Sequence, residues 1–251
     1  LMFKVMRDYY NGTEFSLGSP KPAGGPFGTI YRYGGQEAGD AVQVQGNWER
    51  SIALYRTAES YIVQSGGYKR NYDKNSTHLT GGVVWFGAHS STYTVYVPLV
   101  SGGVLQVPPS LSEAWQGVYK GEKDTSNFWA SRSLSMMAQI KWDYMMPDIQ
   151  AMQYELESNS EQMVQDIYNK YDNSKNNDID MDTIQKIQNT NIAKAPTESR
   201  KLFHKLLFRF ADGFDNAWSG TGDSKHFSSG TPGYPGWWLE SVKYSQGPPP
   251  P

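Results

Sequence analysis

The stretch GGVVWFGAHSSTYTVYVPL, residues 81–99, is the part of the sequence that decides the fold. It holds two runs rich in β-branched and aromatic residues, VVWFGA and TYTVYVPL, with the polar tripeptide HSS between them. Two such runs around a short polar connection predict a β-hairpin, and Gly81-Gly82 and Gly102-Gly103 punctuate it on either side. The first run is apolar throughout, so we expect both faces of the sheet to be buried under covering layers.

The segment before the hairpin is predicted to supply a further strand, after an irregular Gly- and Pro-rich region at residues 16–49. In RSIALYRTAESYIVQ, residues 50–64, alternation separates a more apolar face from a polar and aromatic one. The more apolar face carries Ile52, Leu54, Ala58 and Ile62, together with Arg56 and Ser60. An arginine on that face needs a partner.

From about Asn127 the apolar period changes from two to nearly 3.6, which predicts helices. The first precedes Pro147, which is placed in the first turn of a second helix that ends near Asp172. A third helix is predicted over 181–193, and a fourth from Pro196 carries an apolar stripe of Phe203, Leu206, Leu207, Phe210 and Phe214. The Gly- and Ser-rich segment 219–236 is predicted to be a loop.

Strands in the first half and helices in the second indicate an α+β fold. We expect one domain, residues 1–251, in which 1–110 are mainly loops and strands, 111–218 mainly helices, and 219–251 a loop and C-terminal tail. The chain starts at Leu1 and runs directly into a dense polar and aromatic stretch. We therefore expect this domain to be incomplete at its N-terminus.

The composition excludes several classes of function. A net charge of −2 provides no basic field for nucleic acid, and no apolar run reaches the roughly 18 residues of a membrane span. With no cysteine, these residues offer no disulfide, thiolate ligand or cysteine nucleophile. The histidines are not at metal-ligand spacing, so no metal site and no cofactor is predicted. Compartment stays open, as does assembly into a homo-oligomer.

Two local patterns and the aromatic content are interpreted without assigning them a catalytic or metal-binding role. The acidic segment 172–182 has Asn177 and Thr183 where a calcium loop needs glycine and glutamate, so we interpret it as a helix connector. Glu155, Glu157 and Glu161 are interpreted as the exposed face of a helix. The 17 tyrosines and 8 tryptophans indicate either a ligand surface or an interface with further polypeptide.

Five stretches become informative in combination: VMRDYYNGTEF (5–15), AGGPFGT (23–29), ERSIALYRTAESYIVQ (49–64), the stretch at 81–99, and FWASRSLSMMAQIKWDYMMPDI (128–149). In this order they resemble the later part of the bacterial cysteine dipeptidases of the PepD/secernin-related family. The resemblance implies an N-terminal-nucleophile hydrolase, with two stacked sheets between helical layers in a four-layer αββα sandwich. It also implies that the substrate is a short peptide. A further implication is that an N-terminal part of the same protein, missing from these 251 residues, packs against them as a partner.

In such hydrolases the first residue of the mature chain, which is a cysteine in this family, supplies the attacking sulfur. The α-amino group of that cysteine acts as the base. Residue 1 of this chain is Leu, so the resemblance assigns no catalytic residue here. It implies substrate-binding roles for Arg50, which matches best in position, then Arg56, with Glu59 and His89 as further candidates. The alternative for either arginine is a structural ion pair with Glu49, Glu59 or Asp8.

Three functions remain in view. The first is the C-terminal part of a dipeptidase that is inactive without its nucleophile, with acylase or deamidase activity as a variant on the same fold. The second is a non-catalytic module that binds peptides or glycans. The third is a subunit that completes an active partner chain.

Overall fold

The computed structural model describes residues 1–18, 22–33, 46–65, 82–101, 104–112, 125–172, 180–210, 213–219 and 225–244. These residues form small antiparallel sheets and helices, which agrees with the predicted α+β class. Segment 173–179 and the Gly102-Gly103 pair lie outside them. No described helix is long and apolar enough to cross a membrane.

The larger sheet has three antiparallel strands in the order β1 (Glu59–Ser65), β2 (Gly82–Ala88) and β3 (Val97–Val100). Val83 pairs with Val100 and Phe86 with Val97, so the predicted hairpin is confirmed. Its second strand begins at Val97 instead of Thr92, because backbone groups of the buried residues Thr92, Thr94 and Tyr96 bond to side chains of a helix. The connection is therefore longer than HSS.

The strand predicted over residues 50–64 is wrong in its first half. Residues 50–58 are irregular, because Ala53 donates its N–H to the carbonyl of Asp8 at 2.9 Å and Thr57 closes a turn onto Leu54. Within β1 the predicted alternation holds, with Ser60 buried and Tyr61 exposed. Arg56 lies on the exposed irregular part, so the need for a buried partner does not arise.

The helices follow the 3.6-residue period with shifted boundaries. They are α1 (Met2–Met6), α2 (Pro109–Ser112), α3 (Asn127–Ala138), α4 (Trp142–Asp172), α5 (Met181–Ile192), α6 (Lys194–Arg209) and α7 (Gly236–Ser241), with a 3₁₀ turn at Pro22–Gly24. Helix α5 confirms the prediction for 181–193. Pro147 lies inside α4 and not in its first turn, since that turn already begins at Trp142.

The segment predicted as a Gly- and Ser-rich loop contributes to a second sheet. β4 (Asp215–Ser219) and β5 (His226–Gly230) pair antiparallel, with Asp215 opposite Gly230. Every residue of β5 is exposed. A strand without a buried face carries no alternation of apolar residues, so the pattern of hydrophobic residues does not predict β5.

Helix α4 is the element that the separate parts of the core share. Its first turns join α3 and α6 in a cluster that includes Trp142, Met145 and Leu206. Its second half packs Val164 and Ile167 against the sheet. In a third cluster, Leu156 of α4 contacts residues of β3, α5 and α6. The apolar stripe predicted for α6 is split, because Leu206 and Phe210 are buried whereas Leu207 and Phe214 are exposed.

Candidate site at the end of the sheet

Arg7 of the MRDYY stretch fixes the connection between β2 and β3. Its guanidinium donates to the carbonyls of Ser91 and Thr94, both at 3.0 Å, and bonds both carboxylate oxygens of Glu157. Glu157 also accepts the N–H of Tyr96 at 2.9 Å. The interpretation of Glu157 as part of an exposed helix face is therefore wrong: its side chain is buried, and the charge of Arg7 compensates it.

A second side chain of α4 bonds the same connection. Gln153, which is buried, donates its amide to the carbonyls of Thr92 at 2.9 Å and Thr94 at 2.8 Å. Backbone polar groups that leave the strand ladder thus find partners on α4. As a result, residues 89–96 have a defined conformation although they form no strand.

His89 begins this connection in a left-handed conformation, with φ of 72°. Its N–H donates to the carbonyl of Ala58 at 2.7 Å. The imidazole is 4% exposed and packs against the rings of Phe128 at 5.4 Å and Tyr93 at 6.4 Å. Burial, and secondly the positive charge of Arg132, lower the pKa of His89 from 6.5 to about 4, so this imidazole is neutral at pH 7.

Stability should fall on acidification because His89 resists protonation in the folded state. Between its unfolded pKa near 6.5 and the folded value of about 4, the unfolded chain binds more protons. We expect this group to cost about 2–3 kcal/mol as the pH falls from 7 to 4. In urea titrations across this range, His89→Asn, which tolerates the left-handed backbone, should flatten the pH dependence.

The matched control is His204→Asn, because His204 is exposed on α6. This variant should keep the wild-type slope of stability against pH. If His89→Asn had the same slope as the wild type, the buried imidazole would not be the group that titrates.

Several buried polar atoms near His89 have no hydrogen-bond partner among the residues that the structure describes. Nδ1 of His89 and the hydroxyls of Ser90 and Thr92 follow β2, whereas the amide of Asn127 and the hydroxyl of Ser131 belong to α3. The contact between the His89 and Phe128 rings joins the two groups. Buried polar atoms are normally paired, so an unpaired set marks a candidate functional site.

The start of α3 determines where this site lies. Ser126 caps the helix, since its hydroxyl accepts the N–H of Trp129 at 3.3 Å. Phe128 and Arg132, one turn apart, then face His89, and the guanidinium of Arg132 lies 5.7 Å from the Trp129 ring. The side chain of Arg132 is exposed, so it places a positive charge at the edge of the site.

The predicted site residues are brought together only in part. Glu59 pairs with Ala88, so it lies at the same end of the sheet as His89, but its side chain is exposed where that of His89 is buried. Arg50 and Arg56 are exposed on the irregular segment before β1. Within the described part of the chain, neither arginine forms the alternative ion pair with Glu49, Glu59 or Asp8.

No pattern in the sequence indicates Asn127, Phe128 and Arg132 as site residues. They belong to the stretch NFWASR, whose helical period was recognised. Periodicity separates buried from exposed positions, but it carries no information on which loop a helix start will face. Here the facing loop is 89–96, and α4 fixes its position.

The described part of this mixed α/β fold combines a neutral buried imidazole with buried amide and hydroxyl groups that have no partner among the described residues, which makes this end of the sheet the candidate site. The family model of peptidase family C69 matches residues 2–155. Because this match covers more than half of the chain, the protein belongs to peptidase family C69. A comparison with curated proteins finds no match.

Family membership confirms the resemblance to dipeptidases, and it identifies the protein as a hydrolase of the peptidase type. The matched range includes MRDYY, the segment with Arg50 and Arg56, the whole larger sheet and α3. It ends within α4, so α5, α6 and the second sheet lie beyond the match.

Proposed function

We propose that these residues form the substrate-binding part of a cysteine-type dipeptidase that hydrolyses short peptides. Membership of peptidase family C69 over residues 2–155 is the observation that carries this proposal. We further propose one domain for residues 1–251, as part of a four-layer αββα sandwich. The sheet with helices against it is compatible with one half of such a sandwich.

The reaction is amide hydrolysis in two steps. A thiolate attacks the peptide carbonyl, the C–N bond breaks, and the leaving amine takes a proton, which leaves a thioester on the enzyme. Water then attacks the thioester and releases the acid and the thiol. The 251 residues contain no cysteine, so the proposal requires a sulfur from outside them.

In this proposal Arg50 binds the free carboxylate of the peptide, with Arg56, Glu59 and His89 as further parts of the substrate site. The exposed Arg50 guanidinium has no ion pair with the described residues, and an unpaired guanidinium suits a carboxylate. Its backbone is fixed, because the Tyr10 hydroxyl donates to the Arg50 carbonyl at 2.9 Å. The adjacent Ser51 is buried, and its hydroxyl has no partner within the described part of the chain.

Arg50→Ala in the active enzyme should raise KM for free dipeptides by about tenfold and leave KM for the amide-capped peptides nearly unchanged. The expected factor corresponds to the loss of one charge-assisted hydrogen bond, about 1.5 kcal/mol. Steady-state kinetics on paired free and C-terminally amidated peptides measures this difference.

Lys186→Ala, which removes an exposed cation from α5, is the control and should change neither KM. An equal rise for free and capped peptides after Arg50→Ala would contradict carboxylate binding. Arg50 would then have a structural role and no direct part in substrate binding.

The catalytic part of the proposal is tested on the protein isolated from its natural source. Its mass and N-terminal residue are determined first, and dipeptide hydrolysis is then measured before and after iodoacetamide treatment. We expect a cysteine at the mature N-terminus and loss of activity on alkylation. Activity that survives alkylation would exclude the thiol mechanism.

Peptide binding without hydrolysis by the natural protein would instead support the non-catalytic module. The exposed aromatic side chains favour this second candidate, because such side chains commonly form ligand surfaces. Activity that appears only with a second chain would support the subunit that completes a partner.

A further inference from the structure

A group of tyrosine rings extends from the buried site to the protein surface. Tyr31 is at its centre, 4.5 Å from Tyr55, 6.2 Å from Tyr33 and 6.2 Å from Tyr93. Tyr93 in turn contacts the His89 ring. The exposed end is Tyr33, which packs edge-on against Tyr55 at 5.8 Å.

The exposed members of this group are held in place by hydrogen bonds. Tyr33 is 67% exposed, yet its hydroxyl bonds the side-chain oxygen of Gln139 at 2.9 Å. Trp48 is 51% exposed, yet its indole N–H donates to the carbonyl of Tyr33 at 2.8 Å, and the Arg32 guanidinium lies 5.7 Å from its ring. Large apolar rings that are both exposed and fixed form a preorganised binding surface.

We call Tyr33, Trp48 and Tyr55 the aromatic shelf. The polar atoms of Tyr33 and Trp48 already have partners within the protein, so these two residues offer mainly their ring faces and edges. Ring faces and edges favour another ring, in offset or edge-on contact. An aromatic side chain therefore suits the shelf better than a polar one.

Charged groups around the shelf indicate what else the ligand carries. Arg50 lies two residues after Trp48 on the same segment, and Arg132 lies near Tyr31. Glu49, which follows Trp48 in the sequence, lies near Arg32. Arg50 and Arg132 thus remain to bind an anion, whereas Glu49 can bind an ammonium group.

We infer that the aromatic shelf binds the side chain of an aromatic C-terminal residue in a short peptide whose carboxylate binds Arg50. This inference rests on the proposed peptidase function and adds a substrate preference to it. The ligand has an aromatic ring, a carboxylate whose carbon lies three bonds from that ring, and a free amine, as in alanyl-phenylalanine.

Binding is measured by calorimetry on the 251-residue chain, without any need for catalysis. The probes are alanyl-phenylalanine, its reversed sequence phenylalanyl-alanine, and alanyl-alanine. We expect alanyl-phenylalanine to bind best. Tyr33→Ala and Trp48→Ala should each weaken its binding about tenfold, with little effect on alanyl-alanine.

Two further variants separate binding from folding. Tyr33→Phe keeps the ring and should bind nearly as well as the wild type. Tyr154→Ala removes a ring that is 77% exposed on α4, away from the shelf, and should change nothing. Equal loss in Tyr154→Ala would overturn the inference.

The remaining outcomes distinguish the inference from the proposed function. If the three peptides bind equally and the shelf variants change none of them, the inference is overturned and peptide binding stands. If no peptide binds the wild type, the proposed substrate site fails and the shelf with it. If the shelf variants alter only self-association in ultracentrifugation, the shelf binds a second copy of the chain, and the inference is again overturned.

Discussion

Arg7→Met should lower the free energy of unfolding by about 3–5 kcal/mol, the cost of breaking a buried ion pair from one side. Among the described residues, the variant leaves the buried Glu157 carboxylate with only the N–H of Tyr96. It also removes the Arg7 donor from the carbonyl of Ser91 and one of the two donors, Arg7 and Gln153, from the carbonyl of Thr94. Urea denaturation of both proteins measures the difference.

Lys201→Met is the matched control. Lys201 also pairs with a glutamate, Glu198, but that pair is exposed on α6, so its loss should cost less than about 0.5 kcal/mol. The double variant Arg7→Met/Glu157→Leu should recover part of the loss, because no uncompensated charge then stays buried. If Arg7→Met cost no more than Lys201→Met, the pair would not hold the connection 89–96 in place.

Leu206→Ala should cost about 2–5 kcal/mol, the range for deleting a fully buried leucine side chain. Leu206 is 0% exposed and belongs to the cluster with Trp142 and Leu134. Removing it opens a cavity between α6 and the start of α4. Thermal or urea unfolding gives the change in stability.

The neighbouring Leu207→Ala is an exact chemical match in the same helix. Leu207 is 48% exposed, so its truncation should cost less than about 1 kcal/mol. Helix propensity contributes equally to both variants and cancels in the comparison. Equal losses would mean that the stripe predicted from the sequence, and not the observed packing, describes α6.

The fold was predictable where one physical signal dominates. The pairing of β2 with β3 and the helix at 181–193 follow from periodicity and turn residues alone. Periodicity and turn residues do not predict the start of β1 or the irregular conformation of residues 89–96. The reason is that Ala53 and residues 91–96 bond to distant parts of the chain. Local patterns do not record such partners.

The candidate site was predictable to a smaller extent. The resemblance led to Arg50 and His89, both of which lie in the range matched by the family. The burial of His89 and its contact with Phe128 depend on how α3 meets the end of the sheet. The exposure of Glu59 beside that buried imidazole likewise depends on strand register, which the sequence leaves open.

The pairing of Arg7 with Glu157 also constrains the order in which the protein can form. The two residues are 150 positions apart, so the contact closes a very long loop. During synthesis, a nascent chain that ends between the 89–96 connection and α4 contains Arg7 but not the Glu157 carboxylate that pairs with it. The contacts of Arg7 with Glu157 must therefore wait for α4 to leave the ribosome, and until then the larger sheet lacks this link to its helical cover, a condition that favours aggregation in general.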